Sequence, residues 1–258
     1  MADTLRIVLL GKTGAGKSSL ANTIFGKEVF KVKHFTSSEV THCQVETERV
    51  HDRNITVVDT PGFFHSGLSE KKLKAEIVRC VSECAPGPHV FLIVLKVEKF
   101  TEQETEVIRK IEEYFSPDVF NYSSVVFTHG NQLAEEMKIE EFIRKNQRLK
   151  DLVDKCGGRC HVIDNKYWKN SQQDETRTNR FHVTQLLNTI EKVVTESNGG
   201  CYTVNMLNAW QKKSDLVCCL VKILVKFTGK KSLIFGVVLV VGIFALWRRW
   251  REHPTDII

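Results

Sequence analysis

A phosphate-binding motif follows the first apolar segment of the chain. Residues 5–10, Leu-Arg-Ile-Val-Leu-Leu, are typical of a buried strand in a parallel sheet. Residues 11–18 read Gly-Lys-Thr-Gly-Ala-Gly-Lys-Ser and match the pattern G-x4-G-K-S, and the residues after them favour a helix. In this context the backbone N–H groups of the loop turn toward one anion at the start of the helix. The motif therefore predicts an α/β fold with a phosphate site at the end of the first strand.

The motif, called the P-loop below, assigns a role to each of its residues. Lys17 is expected to neutralise the β and γ phosphates of a nucleotide, and the Ser18 hydroxyl to ligate magnesium. A glycine turn with an unrelated lysine is the alternative, and the agreement of motif and context disfavours it. The other expected contacts to the nucleotide come from Gly11, Thr13, Gly14, Ala15, Gly16 and Ser19.

A second motif, Asp59-Thr60-Pro61-Gly62, ends the apolar run 54–59. Asp59 is expected to hold the magnesium ion, and the Gly62 N–H to sense the γ phosphate. Alone, such a turn is an ordinary loop more often than not. Downstream of a P-loop it indicates a switch GTPase.

Further strands are predicted at 89–97 and 123–128, and helical faces lie between them. The alternating segment 40–50 predicts an edge strand that forms an antiparallel hairpin with 54–59 through residues 51–53. Strands that alternate with amphipathic helices predict a mostly parallel sheet with helices on both faces. The helical faces are those of Leu73, Ile77, Val81 and Cys84, and of Val107, Ile111 and Phe115.

The residues expected to contact the base differ from the usual Thr/Asn-Lys-x-Asp turn. The run 123–128 ends at Thr128, and His129-Gly130-Asn131 follow it. His129 therefore stands at the lysine position and Asn131 at the aspartate position. An amide satisfies one guanine donor and presents a donor to the other, at a cost of about 1–3 kcal/mol. Alternatively, Asn131 caps a helix beginning near Glu135. Asn165 is expected to close over the base, or else belongs to a plain strand-ending turn.

Together these motifs resemble the GTPases of immunity-associated proteins, the GIMAP family of septin-like P-loop GTPases. The resemblance covers about residues 4–196 and includes the box Val40-Thr41-x-Cys43-Gln44, Gly87-Pro88-His89 and Phe100-Thr101. It implies a Ras-like G domain over 1–197, with a six-stranded sheet, that binds GTP and GDP with Mg²⁺. It also implies a homodimer or oligomer that associates through the nucleotide face.

By position in that family, Thr41 is the switch threonine that closes on magnesium, with Thr36, Ser37 and Ser38 as competitors. No glutamine follows Gly62 to orient water, because the next residues are Phe63, Phe64 and His65. Lys99 stands where the family commonly has an arginine, and a lysine lacks the planar fork that bridges two phosphate oxygens. We therefore expect slow GTP hydrolysis.

The C-terminal part of the sequence predicts a membrane anchor. Nine basic and three acidic residues from Lys212 onward account for the net charge of +6, which argues against a nucleic-acid-binding face. Residues 233–247 carry no charge, and a helix over 232–250 would measure ~28 Å, enough for a thin bilayer. Residues 198–231 are predicted to form a linker and a basic amphipathic helix, and 251–258 a short polar end.

Only eleven residues follow Trp247, which suggests a tail anchor on the cytosolic face of the mitochondrial outer membrane or the endoplasmic reticulum. The sequence thus predicts a membrane-anchored, GTP-dependent switch or self-associating scaffold with weak catalysis. The alternative is a nucleoside triphosphatase with relaxed base specificity because of Asn131. A scaffold that binds no nucleotide is disfavoured by Lys17, Ser18 and Asp59. The eight cysteines are expected to be unpaired thiols, with Cys218 and Cys219 either palmitoylated or unmodified.

Overall fold

The computed structural model describes residues 4–32, 42–63, 68–134, 137–164 and 179–227. Six strands and seven α-helices alternate along this part of the chain. Short 3-10 turns lie at Pro117–Tyr122 and Gly130–Gln132. The strands are β1 Thr4–Leu10, β2 Gln44–Val50, β3 Arg53–Asp59, β4 Val90–Lys96, β5 Ser123–Thr128 and β6 Cys160–Ile163. The helices are α1 Lys17–Phe25, α2 Glu70–Glu83, α3 Glu102–Phe115, α4 Ile139–Arg144, α5 Gln147–Lys155, α6 Asn179–Glu196 and α7 Val204–Phe227.

The strands form one sheet in the order β2-β3-β1-β4-β5-β6. Every pair is parallel except β2 with β3, which form the predicted edge hairpin. β1 lies between β3 and β4, so the loop after β1 starts where the strand order diverges. That point in an open α/β sheet is where ligands bind. The predicted Ras-like P-loop G domain with a mostly parallel six-stranded sheet is confirmed.

Both faces of the sheet are buried beneath helices. Alternate residues of β1 point to opposite sides: Val8 and Leu10 belong to one apolar cluster, and Ile7 and Leu9 to the other. The helical faces predicted from the sequence are buried, as the fully enclosed Ile77 on α2 illustrates. Helices α2, α3 and α5 contribute to the first cluster, whereas α1 and α6 contribute to the second.

The first compact unit, Met1–Leu207, extends past residue 197, where the sequence predicts a boundary. Tyr202 is fully buried, and its ring contacts Phe91 and Phe115 edge-on. Its hydroxyl donates a hydrogen bond to the carbonyl of Phe115, and its N–H donates to the carbonyl of Pro88 at 2.8 Å. The core therefore includes a residue beyond the turn after α6, because the Tyr202 side chain packs against Phe91 of the sheet.

A second unit begins at Asn208 and contains the rest of α7, which ends at Phe227. This helix covers much of the predicted linker and amphipathic segment, 198–231. Among the helices that the structure describes, none combines the length and the apolarity needed to cross a membrane. The segment predicted to do so, 232–250, and the polar end, 251–258, lie outside the described residues.

Cys43 and Cys80 form a disulfide between the chain just before β2 and the last turn of α2. The expectation of unpaired thiols is therefore wrong for this pair. Its members are 37 positions apart and meet only through tertiary packing, which the local spacing of cysteines does not reveal. Cys84, Cys156, Cys160 and Cys201 are free.

A candidate nucleotide site at the end of β1

The P-loop leaves the buried end of β1 and enters α1 through Gly16. Gly16 is the N-cap of α1 with φ +89°, a left-handed conformation that side chains disfavour, and no side chain caps the helix. The loop is drawn tight by a hydrogen bond from the Ala15 N–H to the Lys12 carbonyl (3.2 Å). Thr13 and Gly14 are exposed at its outer edge, Gly11 and Ala15 are buried, and Ser19 is partly buried on α1. The loop thus presents the helix start toward solvent, the arrangement that binds phosphate.

Lys17 and Asp59 are buried charged residues at the centre of this site, 7% and 2% exposed. The Lys17 Nζ donates to the carbonyl oxygens of Gly11 (3.3 Å) and Lys12 (3.1 Å). Burial lowers the pKa of the Lys17 amine and raises the pKa of the Asp59 carboxyl, while the charge of each opposes the shift of the other. Buried charged groups with shifted pKa values are typical of functional sites.

The Ser18 hydroxyl donates to Asp59 Oδ2 at 2.5 Å. This bond joins the first turn of α1 to the end of β3. The other carboxylate oxygen, Asp59 Oδ1, is buried and accepts no hydrogen bond from the residues that the structure describes. Hydroxyl and carboxylate oxygens are the ligands that Mg²⁺ prefers, and a buried acceptor without a partner suits a cation. The residues present therefore fit a magnesium ion.

Gly62 lies directly against the P-loop. A Cβ at this position would come within 2.5 Å of the N, Cα and Oγ1 atoms of Thr13, so only glycine fits. The next residue, Phe63, fastens the two loops together: the Thr13 N–H donates to the Phe63 carbonyl, and the Phe63 N–H donates to the Gly11 carbonyl, both at 3.0 Å. The Phe63 ring is fully buried against Tyr114. The segment predicted to sense the γ phosphate is thus held to the loop predicted to bind it.

Lys12 is an anchor of the P-loop that the sequence analysis missed. Its amine forms ion pairs with Glu98 (2.6 Å) and with Glu104, which is 4% exposed. Burial lowers the pKa of Lys12, but the two carboxylates outweigh burial and the net shift is upward. A variable position of the motif gives no local sign that it pairs with residues about 90 positions away. Lys99, next to this cluster, is exposed.

The base end of the site is attached to the P-loop through Thr128, whose hydroxyl donates to the Ala15 carbonyl at 2.8 Å. His129 follows with φ +59°, and its Nδ1 lies 3.0 Å from the Thr128 hydroxyl. Burial lowers the pKa of His129, as does the charge of Lys96. Asn131 is exposed within a 3-10 turn.

The alternative helix-capping role for Asn131 is wrong, because the next described helix begins at Ile139 with Lys138 as its N-cap. The structure brings most predicted site residues to one edge of the sheet. Thr41 and Asn165 lie outside the described residues, as do the competitors Thr36, Ser37 and Ser38 and the loop residues Phe64 and His65.

Comparison with known proteins identifies the family. The profile of the AIG1 family matches residues 5–218. The chain belongs to the AIG1 family. This finding agrees with the GIMAP resemblance, since the relatives of this AIG1-family chain include human GTPase IMAP family member 8, which is 33% identical over 213 residues. Immune-associated nucleotide-binding protein 9 of Arabidopsis thaliana is 32% identical over 214 residues.

These alignments cover 83% and 81% of the AIG1-family chain, but only 31% of the human protein and 60% of the Arabidopsis protein. The chain therefore corresponds to part of each relative. Among solved structures, a dimerization-deficient mutant of Toc33 from Arabidopsis thaliana has a TM-score of 0.61 at 19% identity, covering 76% of this chain and 86% of Toc33. Toc33 in complex with Mg²⁺ and GMPPNP has a TM-score of 0.58 at 20% identity, covering 75% of this chain and 85% of Toc33. At these identities the similarity establishes the fold.

Proposed function

We propose that this chain binds GTP and GDP with Mg²⁺ at the end of β1 and acts as a nucleotide-dependent switch or self-associating scaffold. The observation that carries the proposal is the hydrogen bond between Ser18 and the buried Asp59, with the buried amine of Lys17 beside it at the start of α1. Toc33 shares the fold and has been determined with GDP or GMPPNP and Mg²⁺. The names of the relatives, a GTPase and a nucleotide-binding protein, support the same ligand.

In this proposal Lys17 neutralises phosphate charge, and Ser18 and Asp59 hold the magnesium ion, with Thr41 as a further ligand. Magnesium offsets the negative charge of the phosphate oxygens. Gly62 and the P-loop glycines let the backbone approach the phosphates closely. His129, Asn131 and Asn165 are the proposed base contacts.

Hydrolysis is proposed to be slow. The three residues directly after Gly62 include no glutamine to orient water, and the first of them, Phe63, is fully buried against Tyr114. Lys99 replaces the planar guanidinium of an arginine and carries charge alone. A P-loop protein without a water-positioning residue or an arginine finger turns over slowly, at about 10⁻³ s⁻¹ or below.

Self-association through the nucleotide face is the proposed output of the switch. Another solved structure of the same fold concerns the chloroplast translocon components atToc33 and psToc159, for which dimerization is important for the GTPase activity. Light scattering of the full chain with GDP and with GMPPNP tests this idea. A mass increase with GMPPNP alone supports it, and equal masses in both states contradict it.

We also propose that residues 232–250 anchor the chain to the cytosolic face of an organelle membrane, the mitochondrial outer membrane or the endoplasmic reticulum. The support is the uncharged run 233–247 between Lys230-Lys231 and Arg248-Arg249. Substituting Val240→Arg in the middle of the run should release the protein on carbonate extraction of membranes, whereas Arg251→Ala should not. Extraction of the unsubstituted protein by carbonate would contradict the proposal.

The alternative function, a triphosphatase with relaxed base specificity, is favoured by one observation: the turn 129–132 contains no carboxylate. Two experiments distinguish these functions. Acid releases the nucleotide bound to the purified full chain, and chromatography identifies its base. Turnover assays then compare GTP, ATP and XTP as substrates. Guanine nucleotide alone with slow turnover supports the switch. Mixed nucleotides with fast turnover support the triphosphatase, and release of no nucleotide from protein loaded with each in turn contradicts both.

A further inference from the structure

The base end of the site lacks the group that guanine recognition requires. Guanine presents two adjacent donors, the N1–H and the exocyclic amine, and a carboxylate accepts from both. The turn that follows β5, His129-Gly130-Asn131-Gln132, contains an imidazole and two amides but no carboxylate. If the site is selective for guanine, a carboxylate acceptor must come from outside these four residues.

The end of β6 brings a carboxylate to this turn. β6 pairs with β5 in parallel register, with Ile163 opposite Thr128, so Asp164 lies beside the start of the turn. The approach is close: a Cβ at Gly130 would lie 2.7 Å from Val162 Cγ1 and 3.9 Å from the Cβ of Asp164. Asp164 is partly exposed. Its negative charge acts on His129, where it raises the pKa against the lowering by burial.

Asp164 is fixed in position by α6. Its N–H donates to Asn179 Oδ1 at 3.2 Å, and the Asn179 amide donates back to its carbonyl. Asn179 is 8% exposed, so the pair of bonds is shielded from water. A backbone held from both sides limits the directions that the Asp164 side chain can take, which is the preorganisation that a specificity residue needs.

Among the residues that the structure describes, Glu98 is a second carboxylate whose charge reaches His129. Glu98 Oε1 accepts a hydrogen bond from the Lys12 amine at 2.6 Å and belongs to the cluster that anchors the P-loop. Glu98 follows β4, which borders β5 on the side opposite β6, with Lys96 paired with Thr128. The two acids thus flank the turn, and the Glu98 carboxylate is bound by Lys12.

We propose that Asp164 is a specificity-determining residue that accepts hydrogen bonds from the N1–H and exocyclic amine of guanine, in place of the missing aspartate of the turn after β5. This inference rests on the proposed function, because it names the residue that selects the base at the same site. It assigns guanine selectivity to the strand β6, outside the motif that usually carries it.

The test uses the full chain and its Asp164→Asn variant, with GDP and XDP as competitors of a fluorescent nucleotide. Xanthine carries a 2-oxo group where guanine has an amine, so the asparagine amide donates where the carboxylate accepted. We expect GDP affinity to fall about 10- to 100-fold and XDP affinity to rise, which inverts the ratio of the two. Asp151→Asn, on the outer face of α5, is the matched control and should leave the ratio unchanged.

Two further results decide the matter. Thermal unfolding of Asp164→Asn establishes that the variant is folded, and the backbone bonds to Asn179 do not involve the replaced carboxylate. An unchanged ratio of GDP to XDP affinity in a folded Asp164→Asn variant would overturn the assignment while the proposed function stands. Absence of binding of every nucleotide by the parent protein would overturn the proposed function, and this inference with it.

Discussion

The hydroxyl of Ser18 donates a hydrogen bond to Asp59 across 2.5 Å, which connects the first turn of α1 to the end of β3. These two residues are 41 positions apart in the sequence and belong to two separate motifs. Their contact shows that the two motifs form one site, which a match to either motif alone leaves open. The second oxygen of Asp59 is buried and accepts no hydrogen bond within the described part of the chain.

Removing the Ser18 hydroxyl should uncouple nucleotide binding from magnesium. In Ser18→Ala we expect the gain in GDP affinity on adding Mg²⁺ to shrink by about tenfold, because the ion loses an oxygen ligand. Titration with GDP in magnesium and in EDTA measures that gain. Ser82→Ala, a serine of α2 that bonds only its own helix, should retain the full magnesium response. An equal response in Ser18→Ala and in the parent protein would show that Ser18 is not a ligand.

Glu104 should stabilise the fold more than a surface acid does. It is 4% exposed, pairs with Lys12 and accepts a hydrogen bond from the Thr101 N–H at 2.9 Å. Glu104→Gln should lower the free energy of unfolding by about 1–3 kcal/mol, because the partly buried Lys12 amine loses one of its two charged partners. Urea unfolding measures the change. The control Glu102→Gln, whose side chain is 82% exposed, should change stability by less than about 0.5 kcal/mol.

Stability should fall in mild acid because of His89. The ring is 1% exposed, and burial, with the charges of Arg6 and Arg53, lowers its pKa from 6.5 to about 4. Between these values the unfolded chain binds a proton at this residue and the folded chain does not. His89 therefore contributes full stability above pH 6.5, and this contribution is lost as the pH falls toward 4.

We expect the pH dependence of the unfolding free energy of His89→Gln to be shallower by about 1.4 kcal/mol per pH unit inside that window. His161, whose pKa is also lowered to about 4, leaves a residual slope. The exposed His51, changed to asparagine, serves as the control and should keep the slope of the parent protein. Parallel curves for His89→Gln and the parent protein would refute the assignment.

Tyr202 should tie the residues after α6 to the G domain. Its hydroxyl donates to the Phe115 carbonyl in the core, so Tyr202→Phe leaves that acceptor without its bond. We expect a loss of about 1–2 kcal/mol in the free energy of unfolding. Chemical denaturation measures this loss, and the control is Tyr122→Phe, because the Tyr122 ring is only partly buried. Equal stability of both variants would mean that the segment is not part of the cooperative unit.

The sequence was sufficient to predict the fold and the closeness of Ser18 and Asp59 at one edge of the sheet. The P-loop, the strand ending at Asp59 and the edge hairpin each carry a local signal, namely a glycine pattern, an apolar run and an alternation. Ser18 and Asp59 could be placed together because the ends of neighbouring parallel strands share one edge of the sheet.

What the sequence did not reveal depends on tertiary contacts between distant residues. Lys12 occupies a variable position of the motif, and its role as an anchor depends on Glu98 and Glu104, which only the folded structure brings beside it. Cys43 pairs with Cys80 only because α2 packs next to the start of β2. The position of Asp164 beside the turn after β5 follows from the register of β6 against β5, which four residues of strand do not reveal. Tyr202 follows a Gly-Gly turn, and the burial of its ring against Phe91 and Phe115 has no local signal in the sequence.

Calorimetric titration of the full chain with GDP, in magnesium and then in EDTA, tests the central claim most directly, with Lys17→Ala as the comparison. The proposed site predicts a dissociation constant of about 1 μM or tighter in magnesium, weaker binding in EDTA and a loss of about 100-fold or more in Lys17→Ala. Absence of heat and of thermal stabilisation with GDP in magnesium, or equal affinity in Lys17→Ala, would contradict the claim that the end of β1 binds a guanine nucleotide.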